Sequence, residues 1–96
     1  MGYRRNAVDA NQKQIVEDLR ELGLSVATTS QAGDGFPDII VAYKGFNYMI
    51  EIKDGNKPPS KQKLTPKQVK FHSEWKGQID VANGLDEVFK VIGWVN

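Results

Sequence analysis

Two neighbouring segments, residues 38–43 and 48–53, constrain the fold of this chain more than any other feature. Both are rich in isoleucine, valine and tyrosine, which favour β-strands, and only the four residues Lys44-Gly45-Phe46-Asn47 separate them. A connection this short between two such runs predicts a β-hairpin. Apolar residues occupy both of its faces, so we expect other parts of the chain to cover the hairpin on both sides.

The charged side chains of the two predicted strands are Asp38, Glu51 and Lys53. Side chains alternate between the faces of a strand, so a connection of two or four residues would put all three on one face, at the end away from the turn. Burying charge there is unfavourable unless the charge is paired or binds a metal. Two carboxylates about 4 Å apart repel by roughly 4 kcal/mol at an effective dielectric constant of about 20.

A hard divalent cation would turn this repulsion into binding, because Mg²⁺ and Mn²⁺ prefer carboxylate and carbonyl oxygens completed by water. Asp38 and Glu51 would then be ligands, with the backbone carbonyl of Ile52 as a third. The metal would acidify a bound water, and Lys53 would orient that water or stabilise charge on a phosphate. The alternative is that Lys53 only neutralises two acids at a strand end, and the three charges alone do not decide between these interpretations.

The periodicity of apolar residues divides the rest of the chain into helices, strands and loops. The predicted elements are a helix over Asp9–Leu22, a strand over Ser25–Ser30, a loop over Gln31–Pro37, the hairpin, a polar loop over Asp54–Thr65, a helix from Thr65 to about Lys76, a strand over Ile79–Ala82 and a helix over Leu85–Trp94. The order αβββαβα predicts one α/β domain over residues 1–96, with a mixed central sheet flanked by helices.

Specific residues of the predicted helices are expected to cap them or to face inward. Asp9 is the expected N-cap of the first helix, and Thr65 is that of the second, with Pro66 at its first position. The second helix is expected to bury Val69, Trp75 and either Phe71 or His72. In the last helix, the expected inward residues are Val88, Phe89, Ile92 and Val95. His72 is interpreted as a partly buried packing residue rather than a catalytic one.

Positive charge is concentrated in one stretch, although the net charge is only +1. From Lys53 to Lys70 there are six lysines and one acid, Asp54. Such a stretch is compatible with a phosphate-contacting surface, and equally with an ordinary solvated lysine loop. The candidate DNA contacts are Lys57, Lys61, Lys63, Lys67 and Lys70, together with Arg4 and Arg5 near the N-terminus.

A membrane partner is not expected. No apolar run approaches the roughly 18 residues that a membrane-spanning helix needs, and the first residues lack the apolar stretch of a signal peptide. The sequence contains no cysteine, which suits a cytoplasmic location without requiring one.

A longer motif surrounds the three charges of the hairpin. Gly35-Phe36-Pro37-Asp38, then twelve residues, then Glu51-Ile52-Lys53 reads as PD-(12)-ExK. This resembles the PD-(D/E)XK nuclease superfamily, and more closely its VRR-NUC family, including short stand-alone bacterial and phage members. In that family a helix with a motif glutamine follows. Leu64-Thr65-Pro66-Lys67-Gln68 matches that helix start, so Gln68 corresponds to the glutamine. The resemblance runs from about Asp9 to Ile92.

The resemblance implies a restriction-endonuclease-like fold and Mg²⁺- or Mn²⁺-dependent hydrolysis of DNA inside a bacterial or phage-infected cell. It implies catalytic roles for Asp38, Glu51, Lys53 and Gln68. It also suggests branched or structured DNA as substrate, because the stand-alone members resemble Holliday-junction resolvases that work as homodimers.

The first helix departs from the family pattern, which often has a glutamate near the metal. This chain has Asp9, Asn11 and Gln12 there, and spacing makes Gln12 the expected occupant and an additional metal ligand. An amide binds metal more weakly than a carboxylate, so this helix is expected to orient water rather than bind strongly. Asp9 would supply a carboxylate if the helix began later. One metal ion and two both remain open.

Two other classes of function fit the sequence less well. A nucleic-acid-binding module that kept the fold and lost catalysis would have no reason to retain Asp38, Glu51 and Lys53 together. A purely structural or interaction domain would not need clustered charges at one end of a hairpin.

A symmetric homodimer is the expected working unit. A chain of 96 residues has no second domain to grip DNA, and resolving a four-way junction needs two symmetric cuts. A core this small is not expected to accommodate all the large apolar residues near the hairpin turn and the last helix, which are Phe46, Phe89, Trp94 and Val95.

Overall fold

The computed structural model of the protein describes residues 10–95, and its helices and strands follow the predicted order αβββαβα. The elements are α1 (Ala10–Glu21), β1 (Ser25–Thr28), β2 (Ile39–Tyr43), β3 (Phe46–Ile52), α2 (Pro66–Glu74), β4 (Asp80–Ala82) and α3 (Leu85–Ile92). Asp9, the predicted cap of the first helix, lies outside the described residues. In residues 10–95 no helix has the length and apolar character that crossing a bilayer requires.

The central hairpin has a tighter turn than the sequence suggests. Lys44 and Gly45 alone connect β2 to β3, so the turn has two residues rather than four. Their φ angles are +52° and +86°, as in a type I′ turn, whose twist matches that of the flanking strands. The other two residues expected in the turn extend β3. An even number of turn residues preserves the expected alternation, and Ile39 pairs with Ile50.

The sheet is mixed, as predicted. Its order is β1-β2-β3-β4, in which the first three strands form an antiparallel meander and β4 pairs in parallel with β3. Helix α2 lies in the crossover between β3 and β4. The predicted α/β fold class, with a mixed central sheet flanked by helices, is therefore confirmed.

The hydrophobic core lies on one face of this sheet. Helices α1 and α3 both pack there and contribute Leu19 and Val88, which are completely buried. The sheet contributes Ile39, Val41 and Ile50, also completely buried. These strand residues occupy every second position along β2 and β3. The alternation of side chains along the two strands therefore identified the residues that face the core.

Within residues 10–95 the opposite face is covered only in part, which is less than the sequence led us to expect. Among residues 10–95, α2 lies on this side and reaches the Glu51 end of the hairpin through Gln68. A shallow cavity of about 280 Å³ lies on this side of the sheet. The part of the sheet that lines it, called the open face below, comprises Ser25, Ala27, Ile40, Ala42 and Asn47. Residues 10–95 form three α-helices, and two of them pack on the core face.

Helix α2 also orients differently from the prediction. Val69 is 52% exposed and Trp75 42% exposed, whereas Phe71 and His72 are half-buried. No residue of α2 is fully buried. The predicted burial of Val69 and Trp75 was therefore wrong, because this helix rests on polar and aromatic contacts rather than on the core.

The end of the chain folds back on itself. Helix α3 ends at Ile92 because Gly93 adopts a left-handed conformation, with φ +72°. Trp94 then stacks on Phe89, with ring centroids 5.5 Å apart, and both pack against the core. Val95 is exposed rather than inward-facing. The prediction that Phe46, Phe89, Trp94 and Val95 would not all fit inside the core is confirmed, since Phe46 and Val95 are exposed.

Candidate active site

Asp38 is held in place by its neighbours on both sides. The amide of Thr29 donates to the Asp38 carbonyl at 2.8 Å, and the Thr29 hydroxyl donates to the Pro37 carbonyl at 2.7 Å. On the other side, the Ile52 amide donates to Asp38 Oδ2 at 2.9 Å. The bond between the Thr29 amide and the Asp38 carbonyl continues the antiparallel pairing of β1 with β2, and the bond from Ile52 fixes the carboxylate against the end of β3, so the sheet itself orients this side chain.

Glu51 lies across the hairpin from Asp38 and is only 2% exposed. Its Oε2 accepts a hydrogen bond from Gln68 Nε2 at 2.8 Å and lies 3.7 Å from Lys53 Nζ. Its Oε1 is buried and has no hydrogen-bond partner in the described part of the chain. A buried carboxylate oxygen without a partner is unfavourable, so this atom marks a position where a ligand would be stabilised.

Burial raises the pKa of Glu51 from its ordinary 4.5 to about 8. The neighbouring carboxylate of Asp38 raises the pKa of Glu51 further, whereas Lys53 lowers it. Desolvation and a like charge both disfavour ionisation. Without a cation, Glu51 is therefore mostly protonated at neutral pH.

Gln68 connects α2 to this pair through a capping box. Thr65 caps the helix by accepting from the Gln68 amide, and Gln68 Oε1 accepts from the Thr65 amide at 2.9 Å. The same Oε1 accepts from Lys53 Nζ at 2.9 Å. Thus one side chain closes the helix end and joins Lys53 to Glu51. The structure brings together all four residues that the sequence predicted as catalytic.

Helix α1 reaches the site indirectly. Gln12 is buried, but its Nε2 donates to Ser30 Oγ at 3.2 Å, and Ser30 Oγ donates to Asp38 Oδ1 at 3.4 Å. Asn11 Nδ2 donates to the Lys53 carbonyl at 3.1 Å. Sequence reasoning missed Ser30 and the role of Asn11. The pairing of β1 with β2 would have pointed to Ser30, since it lies just beyond the residue that pairs with Asp38.

Gly35 lets the loop before Asp38 approach α2. Its φ is +84°, and a β-carbon there would collide with the carbonyl group of Lys67. Any other residue would therefore push the loop away from the start of α2, where Gln68 lies. This accounts for the tight bend expected ahead of Pro37.

The oxygen atoms at this site fit a hard divalent cation. Asp38 and Glu51 supply two carboxylates, and Asn11 Oδ1 is, like Glu51 Oε1, buried without a partner in the described part of the chain. Residues 10–95 contain no group of three His, Cys, Asp or Glu side chains suited to a metal. Two carboxylates with carbonyl or amide oxygens and water are the usual set for Mg²⁺. The carbonyl of Ile52 and Gln12 stay predicted ligands.

The lysines predicted to contact DNA are all exposed, and those between the hairpin and α2 lie on an ordered loop. Gln62 organises this loop, since its Nε2 donates to the Lys57 carbonyl at 2.6 Å and its Oε1 accepts from Asn83 Nδ2 at 2.9 Å. The exposed lysines are Lys57, Lys61, Lys63, Lys67 and Lys70. Arg4 and Arg5 lie outside the described residues.

The burial of His72 agrees with its interpretation as a packing residue. It is half-buried, and burial lowers its pKa, which favours the neutral ring. The charge of Lys53 lowers the pKa further, whereas that of Asp80 raises it.

Comparison with known proteins gives one informative match. No family model matches the sequence, and no curated protein matches it. A solved structure described as a VRR_NUC domain is similar, with a TM-score of 0.60 and 26% sequence identity over 88% of this chain and 92% of that one. This similarity confirms the family resemblance and the fold that the motifs predict.

Proposed function

We propose that this chain is a nuclease domain of the VRR-NUC type, an endonuclease that hydrolyses phosphodiester bonds in DNA with Mg²⁺ or Mn²⁺. Its preferred substrates are branched or structured DNAs. The finer parts of this proposal rest on the family resemblance and on the chemistry of the site.

The observation that carries the proposal is the buried pair of Glu51 and Asp38 beside Lys53. A carboxyl group that is 2% exposed, has an unpartnered oxygen and faces a second carboxylate is unfavourable unless a cation joins it. A protein that only needed a stable hairpin would gain by an apolar residue there. The pair is therefore best explained as the metal-binding part of a catalytic site.

Asp38 and Glu51 would hold the metal, with the Ile52 carbonyl and Gln12 as predicted further ligands. When bound, Mg²⁺ or Mn²⁺ acidifies a coordinated water and polarises the phosphate. Neither carboxylate needs to move a proton itself, since both act as ionised ligands in the loaded enzyme. The hydrogen bond from the Ile52 amide keeps Asp38 in the orientation this requires.

Lys53 would act on the reacting phosphate. Its ammonium group donates to Gln68 Oε1, which leaves two N–H groups for a water or a phosphate oxygen. In a partly buried site a fixed positive charge stabilises negative charge that develops during phosphoryl transfer. Gln68 would position both Lys53 and Glu51, because its amide group contacts each of them.

Exposed lysines would supply the phosphate contacts that hold the DNA. They lie on the loop after the hairpin and on α2, and α2 also carries Gln68 into the site. Neutralising several phosphates releases counterions, so binding should weaken steeply as salt rises. Arg4 and Arg5 stay predicted contacts.

The direct experiment is cleavage of labelled linear, flapped and four-way-junction DNAs with Mg²⁺, with Mn²⁺ and with EDTA. We expect the wild type to cleave the branched DNAs only when a metal is present. Glu51→Gln should lose this cleavage, and Glu21→Gln, the control at an exposed site, should keep it. Cleavage that persists in EDTA or in Glu51→Gln would contradict the proposal.

The alternative is a DNA-binding module of the same fold without catalysis. One observation favours it: α1 offers the amides of Asn11 and Gln12 where the family often has a glutamate. Salt-sensitive binding of DNA without cleavage in either metal would support this alternative.

We also propose that the domain acts as a symmetric homodimer. The open face exposes part of the sheet between β1 and β3, and its small side chains would permit close approach of a second copy. Phe46, 67% exposed at the hairpin turn, adds apolar surface. Two copies related by a two-fold axis would place two sites on the two strands of a junction. A cytoplasmic location stays a prediction.

Light scattering at micromolar concentration tests the dimer. The wild type should have about twice the 10.8 kDa mass of one chain, whereas Ile40→Lys on the open face should be a monomer. Leu22→Lys, at an exposed apolar residue after α1, is the matched control. A wild type that stays monomeric even on junction DNA would rule the dimer out.

A further inference from the structure

Three aromatic side chains form a cluster beside the candidate active site. Phe71 of α2 and Trp75, the residue directly after this helix, are stacked, with centroids 5.2 Å apart and planes at 16°. Phe36, in the loop before Asp38, meets their edges at 5.3 and 6.5 Å. The cluster attaches α2 to that loop. It is not part of the hydrophobic core, which lies on the other face of the sheet.

Attachment alone does not require rings this exposed. Trp75 is 42% exposed, and Phe36 and Phe71 are only half-buried. Large aromatic residues stabilise a fold mainly through the surface they bury, so an aromatic cluster with one side in water is an inefficient attachment. Exposed aromatic surface beside charged residues is typical of binding sites.

Charged residues surround this exposed side. A cavity of about 310 Å³ is lined by Phe71 together with Lys67, Lys70, Asp34 and Glu74. This volume lies at the lower end of the range for small-ligand sites, which is about 300–1,000 Å³. The cavity therefore combines an aromatic wall, the ring of Phe71, with two ammonium groups and two carboxylates.

The cavity adjoins the candidate active site through the backbone. Lys67 directly precedes Gln68, which contacts Glu51 and Lys53. Gly35, next to Asp34, lies against the carbonyl of Lys67. A ligand in this cavity would thus contact the two segments that carry Asp38 and Gln68.

We propose that this aromatic pocket, formed by Phe71, Lys67, Lys70, Asp34 and Glu74, binds an unpaired nucleobase of the DNA substrate. The base stacks on the ring of Phe71, which Trp75 and Phe36 hold in place. Lys67 and Lys70 contact the phosphates on either side of it, and the carboxylates of Asp34 and Glu74 accept hydrogen bonds from base amino groups. The inference rests on the proposed function, since it names a feature of the DNA that the same site prefers.

The chemistry of the pocket matches an unpaired nucleotide better than a duplex. Every base offers a flat π surface, but only an unpaired base can present it to a side chain. A lysine surface alone would bind duplex and single strands through phosphates without distinguishing them. The aromatic wall therefore supplies selectivity for flaps, junctions or gaps.

Binding measured in EDTA tests the pocket independently of cleavage. Fluorescence anisotropy would compare a labelled duplex, the same duplex with an unpaired flap, and a flap of equal length built from abasic nucleotides. Base stacking on aromatic side chains changes binding by on the order of 5- to 150-fold per base. The wild type should bind the normal flap more tightly than the abasic flap by a factor in this range.

Phe71→Leu keeps an apolar side chain that holds α2 but removes the π surface, so it should bind both flaps equally. Val69→Ala, on the exposed side of the same helix, should retain the wild-type preference. If Phe71→Leu proves unstable, the comparison of normal and abasic flaps with the wild type decides the question.

Equal binding of both flaps by the wild type would overturn the inference, as would a preference that survives in Phe71→Leu. It would also be overturned if Phe71→Leu changed the oligomeric state in light scattering, because the cluster would then be a protein contact. A wild type that prefers the normal flap yet cuts no DNA would contradict the proposed catalysis and leave the pocket supported.

Discussion

Replacing Glu51 by glutamine is expected to stabilise the metal-free protein at neutral and alkaline pH. The wild-type carboxyl is buried opposite Asp38, and these surroundings raise its pKa from 4.5 to about 8. Glutamine keeps nearly the same shape and can still accept the hydrogen bond from Gln68. It carries no charge, so it removes the desolvation and the repulsion together.

The size and the sign of the effect follow from proton linkage. Because the pKa of Glu51 is higher in the folded than in the unfolded state, its contribution to stability is fully present below pH 4.5 and is lost as the pH rises to about 8. At about 1.4 kcal/mol for each pH unit, the loss is roughly 5 kcal/mol. The pKa of about 8 already includes the attraction between Glu51 and Lys53, so the expected net gain at pH 8, where Glu51 is about half ionised, is about 4 kcal/mol.

Urea unfolding in EDTA at pH 5 and at pH 8 measures this difference. The wild type should lose stability between the two pH values, whereas Glu51→Gln should lose much less. Glu21→Gln is the control, because Glu21 is exposed at the end of α1. If Glu51→Gln had the same free energy of unfolding as the wild type at pH 8, or the same pH dependence, the argument from burial and repulsion would be refuted.

Three further predictions concern the site and its support. Three variants each remove one charged group of the site: Asp38→Asn, Glu51→Gln and Lys53→Ala. Each folded variant should lower the rate of metal-dependent cleavage by at least about 100-fold. A near wild-type rate in any of the three would contradict the site assignment. Gln68→Ala should lower the cleavage rate less, by about 10-fold at limiting Mg²⁺, since Gln68 only positions Glu51 and Lys53. If this variant cut junction DNA at the wild-type rate, that role would be excluded. Gly35→Ala should destabilise the protein by more than about 2 kcal/mol, because it adds a collision with Lys67 to an unfavourable φ angle. Gly45 also has a positive φ angle, but there is open space around it, so Gly45→Ala should lower the free energy of unfolding by only about 1 kcal/mol in the same urea experiment. Equal losses of stability in Gly35→Ala and Gly45→Ala would show that the collision is unimportant.

Local patterns in the sequence determined the elements and the grouping of the predicted catalytic residues. Alternation of side chains along two strands joined by a short turn places Asp38, Glu51 and Lys53 on one face, whether the turn has two residues or four. Thr65 and Pro66 similarly define the start of α2, because capping involves only neighbouring residues. Such features depend on the chain within a few positions, and the sequence contains all of that information.

Only the tertiary structure decided what those elements rest against. Packing two helices on the core face left α2 alone on the other side, which is why Val69 and Trp75 are exposed and why Ile40 lies on an open face. The contacts of Gln12 with Ser30 and of Asn11 with the Lys53 carbonyl join residues that are 18 and 42 positions apart in the sequence. Their positions depend on how strands and helices pack in space, and a pattern of spacing along the chain does not specify which side of a sheet a helix will cover.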